Sequence, residues 1–361
     1  MSFQSFLSEF KSKYGNPKDA FNYVFGSQRK ELDKYRPTLQ ETSAFIEFLR
    51  AAVLAENKTM SNDRAAALVN VHNYNMDPGK PYFPGIDPHV FAFQLALRIR
   101  EPSLLNQSQV GICGENSLMI FFAKKTPSQF ADYAIGLMRK GLGKFKGLVV
   151  EPSATTLPFS WGDSIWESYK DKLAEADFVT IASLAPSLFG SIKEGTTPKQ
   201  VCDLLAKAGF SNPQNKVDER KEFPRSADSI RNLNEAAAAV KADKIVILGV
   251  HADFIAGLRA LKDYIARLWN LPELQRSSGK KYKEWDMENP IKAEPVIEVR
   301  KPGAPGQRHW ILVTYLEPTQ THVTVKLYSW QNPLYAEFER DTFLSYYEGY
   351  VAADPPAEPP D

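Results

Sequence analysis

Apolar residues recur at helical spacing through residues 1–100, which predicts a helical N-terminal region. The segment 42–56, for example, carries phenylalanine, isoleucine and leucine on one helical face. Residues 70–81 interrupt the pattern with asparagine, proline and glycine, so we expect turns there. Residues 91–100 then resume an apolar element that leads into the next part of the chain.

Local signals mark the ends of several helices farther along the chain. A helix predicted to open near Cys113 should end before Pro127, because the residue before a proline disfavours helical geometry. The next helix should begin at Thr126 and Pro127 and end at Gly141. A threonine–proline start and a glycine stop predict another helix at 197–209.

The C-terminal third changes from the helical period to the alternation that is typical of strands. A helix at 230–240 and a buried strand at 244–250 come first. Three further apolar alternating segments follow at 295–300, 309–316 and 323–330. With turn residues between them, they predict a three-stranded antiparallel meander.

The composition predicts a globular protein without a strong electrostatic field. A chain of 361 residues with 43% hydrophobic content can bury a large core. The 44 Lys and Arg residues nearly balance the 43 Asp and Glu residues, which leaves a net charge of +1. This balance gives no global attraction for nucleic acid or an anionic membrane, so we expect neither as a partner.

The cysteine and histidine positions predict neither a metal nor another cofactor. Two cysteines form no CxxC or Cys/His metal pattern, and no two of the five histidines lie three or four positions apart. The two cysteines also cannot make a disulfide framework, which favours folding in a reducing compartment. The N-terminus lacks the pattern of a secretory signal and no long apolar run occurs, so we expect synthesis in the cytoplasm.

Cys113 is the strongest candidate for a reactive group. A polar approach that contains Gly111 runs into an apolar helix at Cys113, and Gly114 follows it. The start of a helix stabilises a thiolate, and glycines let backbone or substrate come close. A buried core thiol is the alternative interpretation for Cys113, and it is our prediction for Cys202, which lies among apolar positions of its helix.

His309 is the candidate base for that thiol. If the second and third predicted strands form a hairpin centred on Thr319, His309 lies opposite Ser329. His309 then stands at the end of an apolar inner face, as a buried base would. That face is predicted to contain Ile311, Val313, Val323, Val325 and Leu327.

The order of these elements resembles that of the papain-like cysteine hydrolases, especially their double-glycine-peptidase and bacterial-toxin branches. The segment from Gln107 to Phe122 is similar to their nucleophile helix, and Gln107 stands six positions before Cys113, where the family has its oxyanion-hole glutamine. The segment 295–299, a glycine-rich turn and the strand from His309 resemble the element that presents the family histidine. Together these segments cover under a quarter of the chain.

The third member of the family's triad does not match cleanly. The family has Asn or Asp after the next strand, whereas Ser329 is opposite His309 in the predicted register. A one-residue bulge would instead offer Gln331 or Asn332. Asn332 is preferred on chemistry, because its amide oxygen can accept the imidazole N–H and hold the tautomer.

The resemblance implies a nucleophilic mechanism on an amide of a protein or peptide substrate. The Cys113 thiolate would attack the carbonyl carbon, Gln107 or Gln109 with the Cys113 backbone N–H would bind the oxyanion, and His309 would protonate the leaving nitrogen. Cleavage of a peptide, deamidation and acyl transfer all remain open.

A bacterial toxin or effector is the role that the resemblance favours. It would be exported into a target cell without a cleaved signal and restrained by a cognate inhibitor or immunity protein. The alternative from a different class is a non-catalytic helical adaptor with a degenerate hydrolase-like domain.

The predicted fold class is α+β, with a papain-like body made of a helical half and a C-terminal antiparallel sheet. A helical N-terminal region at 1–100 precedes the hydrolase domain at 101–352. The proline-rich residues 353–361 are predicted to form a disordered tail.

Overall fold

The computed structural model divides into two compact units, Met1–Thr196 and Thr197–Asp361. It describes residues 34–56, 58–107, 111–152, 173–184, 195–217, 227–252, 254, 291–292, 308–329 and 332–356, and for 227, 291–292, 329 and 332–334 it describes the backbone alone. The predicted strand at 295–300, the turn at 301–307 and residues 357–361 of the predicted tail lie outside these ranges.

The described part of the first unit is mainly helical. Its elements are α1 (Leu39–Leu54), α2 (Ser61–Met76), α3 (Pro88–Arg100), a single 3₁₀ turn (Pro102–Leu104), α4 (Cys113–Lys125), α5 (Pro127–Lys140), β1 (Gly143–Phe145), β2 (Leu148–Val150) and α6 (Glu175–Asp177), which continues as a π-helical segment (Phe178–Ala182). Strands β1 and β2 form a small antiparallel hairpin.

Capping residues explain where these helices begin. Thr38 and Glu41 form a capping box at α1, in which each side chain accepts a hydrogen bond from the other residue's backbone N–H. Asp87 accepts bonds from two first-turn N–H groups of α3, and Pro88 occupies the first helical position. The predicted cap Thr126 behaves differently, because its hydroxyl donates to the carbonyl of Phe122 and accepts no bond from the first-turn N–H groups of α5.

Helix α3 lies at the centre of the first unit, since every residue from Val90 to Arg100 is buried. The guanidinium of Arg98 in this helix donates two hydrogen bonds of 2.7 Å to the carboxylate of Asp177, and both side chains are almost fully buried. Gln94, one turn earlier, donates to Glu175 at 2.5 Å and accepts from a backbone N–H of α6 at 3.0 Å. These contacts tie α6 to α3.

The predicted turn at 70–81 is wrong over its first half, because α2 continues to Met76. Asparagines have low helix propensity, but Tyr74 and Asn75 of this segment are buried, and tertiary packing outweighs that propensity. Helix α2 packs against α5, so helices on both sides of residue 100 share one unit.

The second unit contains a seven-stranded sheet with helices. Its elements are α7 (Pro198–Lys207), β3 (Ser211–Asn215), α8 (Ala227–Lys241), β4 (Ile245–His251), β5 (Ile291–Lys292), β6 (Arg308–Pro318), β7 (His322–Ser329), β8 (Asn332–Glu339), α9 (Arg340–Tyr346) and β9 (Tyr347–Asp354). Helix α7 begins with the predicted capping box of Thr197 and Gln200.

The sheet has the strand order β3-β9-β4-β6-β7-β8-β5. All neighbours are antiparallel except β5 and β8, which are parallel. Because β9 extends to Asp354 and Ala353 is 1% exposed, the predicted tail begins a few residues too early. A helical unit and a largely antiparallel sheet confirm the α+β class at this level of detail.

One face of the sheet carries the core of the second unit. Helix α8 contributes Leu233 and Ala236, and α9 contributes Phe343 to the same cluster. All five residues predicted for the inner face belong to it: Ile311, Val313, Val323, Val325 and Leu327.

The predicted pairing of β6 with β7 is displaced by two residues near His309. Leu312 pairs with Tyr328, so His309 does not lie opposite Ser329. The displacement arises at the turn, because Thr319 is its first residue and not its central one. The hydroxyl of Thr319 accepts a hydrogen bond from the backbone N–H of His322 at 2.9 Å. The register also shifts once beyond Val313. The displacement of two keeps the side chains near His309 on their predicted face, whereas beyond Val313 the bulge shifts the register once more and brings Leu316 to the inner face.

None of the helices in the described ranges has the length and apolar character needed to cross a membrane.

Candidate functional site

Cys113 is the first residue of helix α4 and is 5% exposed. Ile112 precedes it at the cap position and offers no side-chain acceptor to the first turn. The backbone N–H of Asn116 closes the first helical bond, to the carbonyl of Ile112, at 3.0 Å. The prediction of a helix that starts at the cysteine is confirmed, and the sulfur stands at the positive end of the helix dipole.

The two predicted oxyanion residues fall on the segment that approaches this helix. Gln107 follows the 3₁₀ turn and is 3% exposed. A buried glutamine requires polar partners, which suits a hydrogen-bonding role beside a reacting group. Gln109 lies outside the described residues. The oxyanion role of both glutamines stays a prediction.

Three consecutive polar residues in the first turns of α4 are buried, and sequence analysis assigned none of them a role. Glu115, Asn116 and Ser117 are 1%, 2% and 1% exposed. Most helices place such a polar run toward solvent, whereas here it lies inside the unit beside Cys113. The signal that could have found it is the Glu-Asn-Ser run between a glycine and a wholly apolar stretch.

Glu115 is a buried carboxyl that binds the hydroxyl of Thr196. That hydroxyl donates to Oε2 of Glu115 at 2.6 Å. Burial raises the pKa of Glu115 to about 7, and the bonds from Thr196 and from its own backbone N–H lower it only in part. The carboxyl of Glu115, two positions after Cys113, is therefore partly protonated and partly ionised near neutral pH.

His309 lies at the second position of β6, in the second unit, and is 4% exposed. Its backbone pairs with Val250 of β4, which in turn pairs with Tyr347 of β9, and both partners belong to the inner apolar cluster. His309 is thus a polar residue on an otherwise apolar face. The prediction that it stands at the end of this face is confirmed.

The residues that flank His309 hold this end of β6 in the sheet. Arg308 binds the carboxylate of Glu348 at 2.5 Å, and its guanidinium lies 5.9 Å from the centre of the Trp310 ring. Opposite Trp310, Gly249 leaves room for the ring, since an added Cβ would lie 3.3 Å from it. These contacts hold β6 in place on the sheet face opposite the side chain of His309.

The two described candidates for the third residue of the triad, Ser329 and Asn332, pair with each other and not with His309. The backbone of Ser329, the last residue of β7, pairs with that of Asn332, the first residue of β8. The predicted pairing of Ser329 with His309 is wrong for the reason given above, and Gln331 lies outside the described residues. Asn332 as the orienting residue stays a prediction.

Cys202 differs from Cys113 in its surroundings. It lies in the middle of α7 and is half-buried. Burial, followed by the charge of Asp203, raises the pKa of its thiol to about 11, so almost none of it is thiolate at neutral pH. This agrees with the prediction that Cys202 has no chemical role.

The remaining histidines occupy other positions. His251 pairs with Arg308 and so points to the sheet face opposite His309. His89 forms a 2.9 Å bond with Asn75, and His322 is exposed at the start of β7. Within the ranges that the structure describes, no group of three or more His, Cys, Asp or Glu side chains is arranged to hold a metal ion.

No protein family, curated protein or solved structure was found to match this chain.

Proposed function

We propose that this chain is a papain-like cysteine hydrolase that acts on an amide bond, either as a protease or as a deamidase. Cys113 is the nucleophile and His309 the general base. The observation that carries the proposal is the position of Cys113 as the first residue of a long helix, because a thiolate there is stabilised by the helix dipole. If Cys113 is instead a buried core thiol, its reactivity should be low.

Two further observations support the assignment. Gln107 is buried six positions before the cysteine, where the papain-like family has its oxyanion glutamine. The order of the two units also agrees, since a helical unit with the cysteine precedes a sheet unit with the histidine. If the role as a bacterial toxin or effector holds, loss of Cys113 would abolish toxicity.

The roles follow from elementary chemistry. The Cys113 thiolate attacks the amide carbon, and Gln107 or Gln109 binds the developing oxyanion together with the backbone N–H of Cys113. His309 gives its proton to the leaving nitrogen, and water then hydrolyses the thioester. Asn332 holds the imidazole in the required tautomer.

Alkylation by iodoacetamide at pH 7 tests the nucleophile without knowledge of the substrate. Cys202 is the internal standard, because the pKa of its thiol is raised to about 11. We expect Cys113 to react at least about tenfold faster, since the thiolate is the reactive form. Peptide mapping by mass spectrometry measures both rates in one sample, and equal, slow rates would overturn the proposal in favour of the non-catalytic adaptor.

A pair of histidine variants tests the base. His309→Ala should slow alkylation of Cys113 at pH 7, because the thiol then loses the group that takes its proton. His322→Ala is the matched control, since His322 is exposed on the same sheet. Equal rates in the two variants would remove His309 from the mechanism.

A further inference from the structure

Asn116 has a buried acceptor that lacks a partner. The side chain is 2% exposed, and in the described part of the chain its Oδ1 atom accepts no hydrogen bond. An unsatisfied buried polar atom costs about 1–3 kcal/mol, and such atoms are rare in native proteins. A ligand that brings an N–H donor to this oxygen would remove that cost.

The position of Asn116 relates this acceptor to the nucleophile. Asn116 follows Cys113 by three residues in α4, so the two side chains lie on one helix face. Helical side chains lean toward the helix N-terminus, which directs the carboxamide over the turn that Cys113 begins. The backbone N–H of Asn116 already donates within the helix, and in the described ranges the side-chain Oδ1 is a buried atom with no hydrogen bond.

The burial of Cys113 limits the shape of what can reach it. Cys113 is 5% exposed, and a slim terminal group needs less room to approach a buried thiol than a bond in the middle of a chain. A primary carboxamide, the end group of glutamine and asparagine side chains, is such a group. It also carries two N–H donors, whereas a peptide bond carries one.

We propose that the substrate group is a primary carboxamide and that Asn116 binds it by accepting one of its N–H bonds. This inference rests on the proposed function and selects deamidation within it. The Cys113 sulfur forms a bond to the carboxamide carbon, the C–N bond breaks, and the nitrogen leaves as ammonia with the proton from His309. Water then cleaves the thioester, which gives a carboxylic acid and restores the thiol.

Three electrophiles of graded N–H content test this assignment on the full chain. Iodoacetamide carries a primary carboxamide, N-methyl-iodoacetamide has one N–H, and N,N-dimethyl-iodoacetamide has none. Their rates at Cys202 give the intrinsic reactivity of each reagent. Relative to that standard, we expect Cys113 to prefer iodoacetamide to both methylated reagents by about tenfold or more. The N–H that we assign to Asn116 is the one cis to the carbonyl oxygen, which a methyl group replaces in the trans N-methyl amide and which the dimethyl reagent also lacks.

Asn116→Leu should remove the preference, because leucine has a similar size and no acceptor. Asn116→Asp, which keeps an acceptor, should retain it and serves as the control. Rapid reaction of Cys113 with equal preference for all three reagents would overturn the inference and leave the proposed function intact. Equal rates for iodoacetamide and its N-methyl analogue would point to peptide bonds and overturn it too. Slow reaction with every reagent would overturn the proposed function itself.

Discussion

The hydroxyl of Thr196 donates a 2.6 Å hydrogen bond to Oε2 of Glu115, and so connects the last residue of the first unit to the first turn of α4. The carboxyl that accepts this bond is buried, and its pKa is raised from 4.5 to about 7. A group with these properties makes the stability of the fold depend on pH in a definite direction.

Stability should fall as the pH rises from 4.5 to about 7, because in this range the folded state holds a proton on Glu115 that the unfolded state has lost. Above that range both states are ionised and the effect is constant, at about 3 kcal/mol or less. The glutamine of Glu115→Gln cannot ionise. The free energy of unfolding of this variant should therefore change less with pH over this range, and at pH 8 it should be higher than that of the wild type.

Chemical unfolding at pH 5 and pH 8 measures this difference. Glu47→Gln is the control, because the side chain of Glu47 is 50% exposed. If Glu115→Gln and the wild type lost stability in parallel as the pH rose, Glu115 would not be the titrating group.

The buried pair of Arg98 and Asp177 should be essential for the first unit. Asp177→Asn removes the carboxylate charge that binds the buried guanidinium of Arg98, which should cost about 3–5 kcal/mol. The exposed pair of Lys199 and Asp203 is the matched control, since Asp203→Asn should cost less than about 1 kcal/mol. Guanidinium chloride unfolding of both variants measures the costs, and similar values would contradict the expectation.

Gly349 should tolerate no side chain. Its φ of +124° is unfavourable for other residues, and an added Cβ would lie 2.3 Å from the carbonyl oxygen of Lys216. We expect Gly349→Ala to lower the melting temperature and to cost more than about 2 kcal/mol. Gly79→Ala separates the two causes, because Gly79 also has a positive φ but open space around it, and should cost about 1 kcal/mol. Equal costs would show that the contact with Lys216 is unimportant.

Under the proposed function, Asn332 and Ser329 should differ in their effect on catalysis. Asn332→Ala removes the amide oxygen that would orient His309, so the turnover number should fall while the fold remains. Ser329→Ala should have little effect, because Ser329 does not pair with His309. Ammonia release from a glutamine-rich peptide, with mass spectrometry to detect cleavage, measures both variants. A reversed result would make Ser329 the orienting residue.

The elements that could be predicted from the sequence are those that a few neighbouring residues determine. The starts of α4 and α7 and the end of α5 at Gly141 follow from local chemistry: an apolar run, a capping box and a left-handed glycine. The burial of β4 also follows from its composition. Alternation sufficed for the inner-face residues of β7 and for Ile311 and Val313 of β6, but the bulge after Val313 brings Leu316 to that face as well.

Long-range relationships could not be predicted in the same way. The pairing of β4 with both β6 and β9 joins segments far apart in the chain, and no local pattern encodes it. The register at His309 depended on a turn whose bonds to Thr319 are specific to its geometry. The buried state of Asn116 depends on neighbours from other segments, so a polar residue near a helix start gave no sign of it.

The position of β4 in the sheet has a consequence for synthesis on the ribosome. This wholly buried strand leaves the ribosome well before either of its neighbours, because β6 and β9 lie much later in the chain. Until then its two edges can form no native ladder, and an unpaired apolar strand is a template for aggregation. We therefore expect the nascent chain to depend on chaperones until β9 inserts between β3 and β4, the step that completes this region of the sheet.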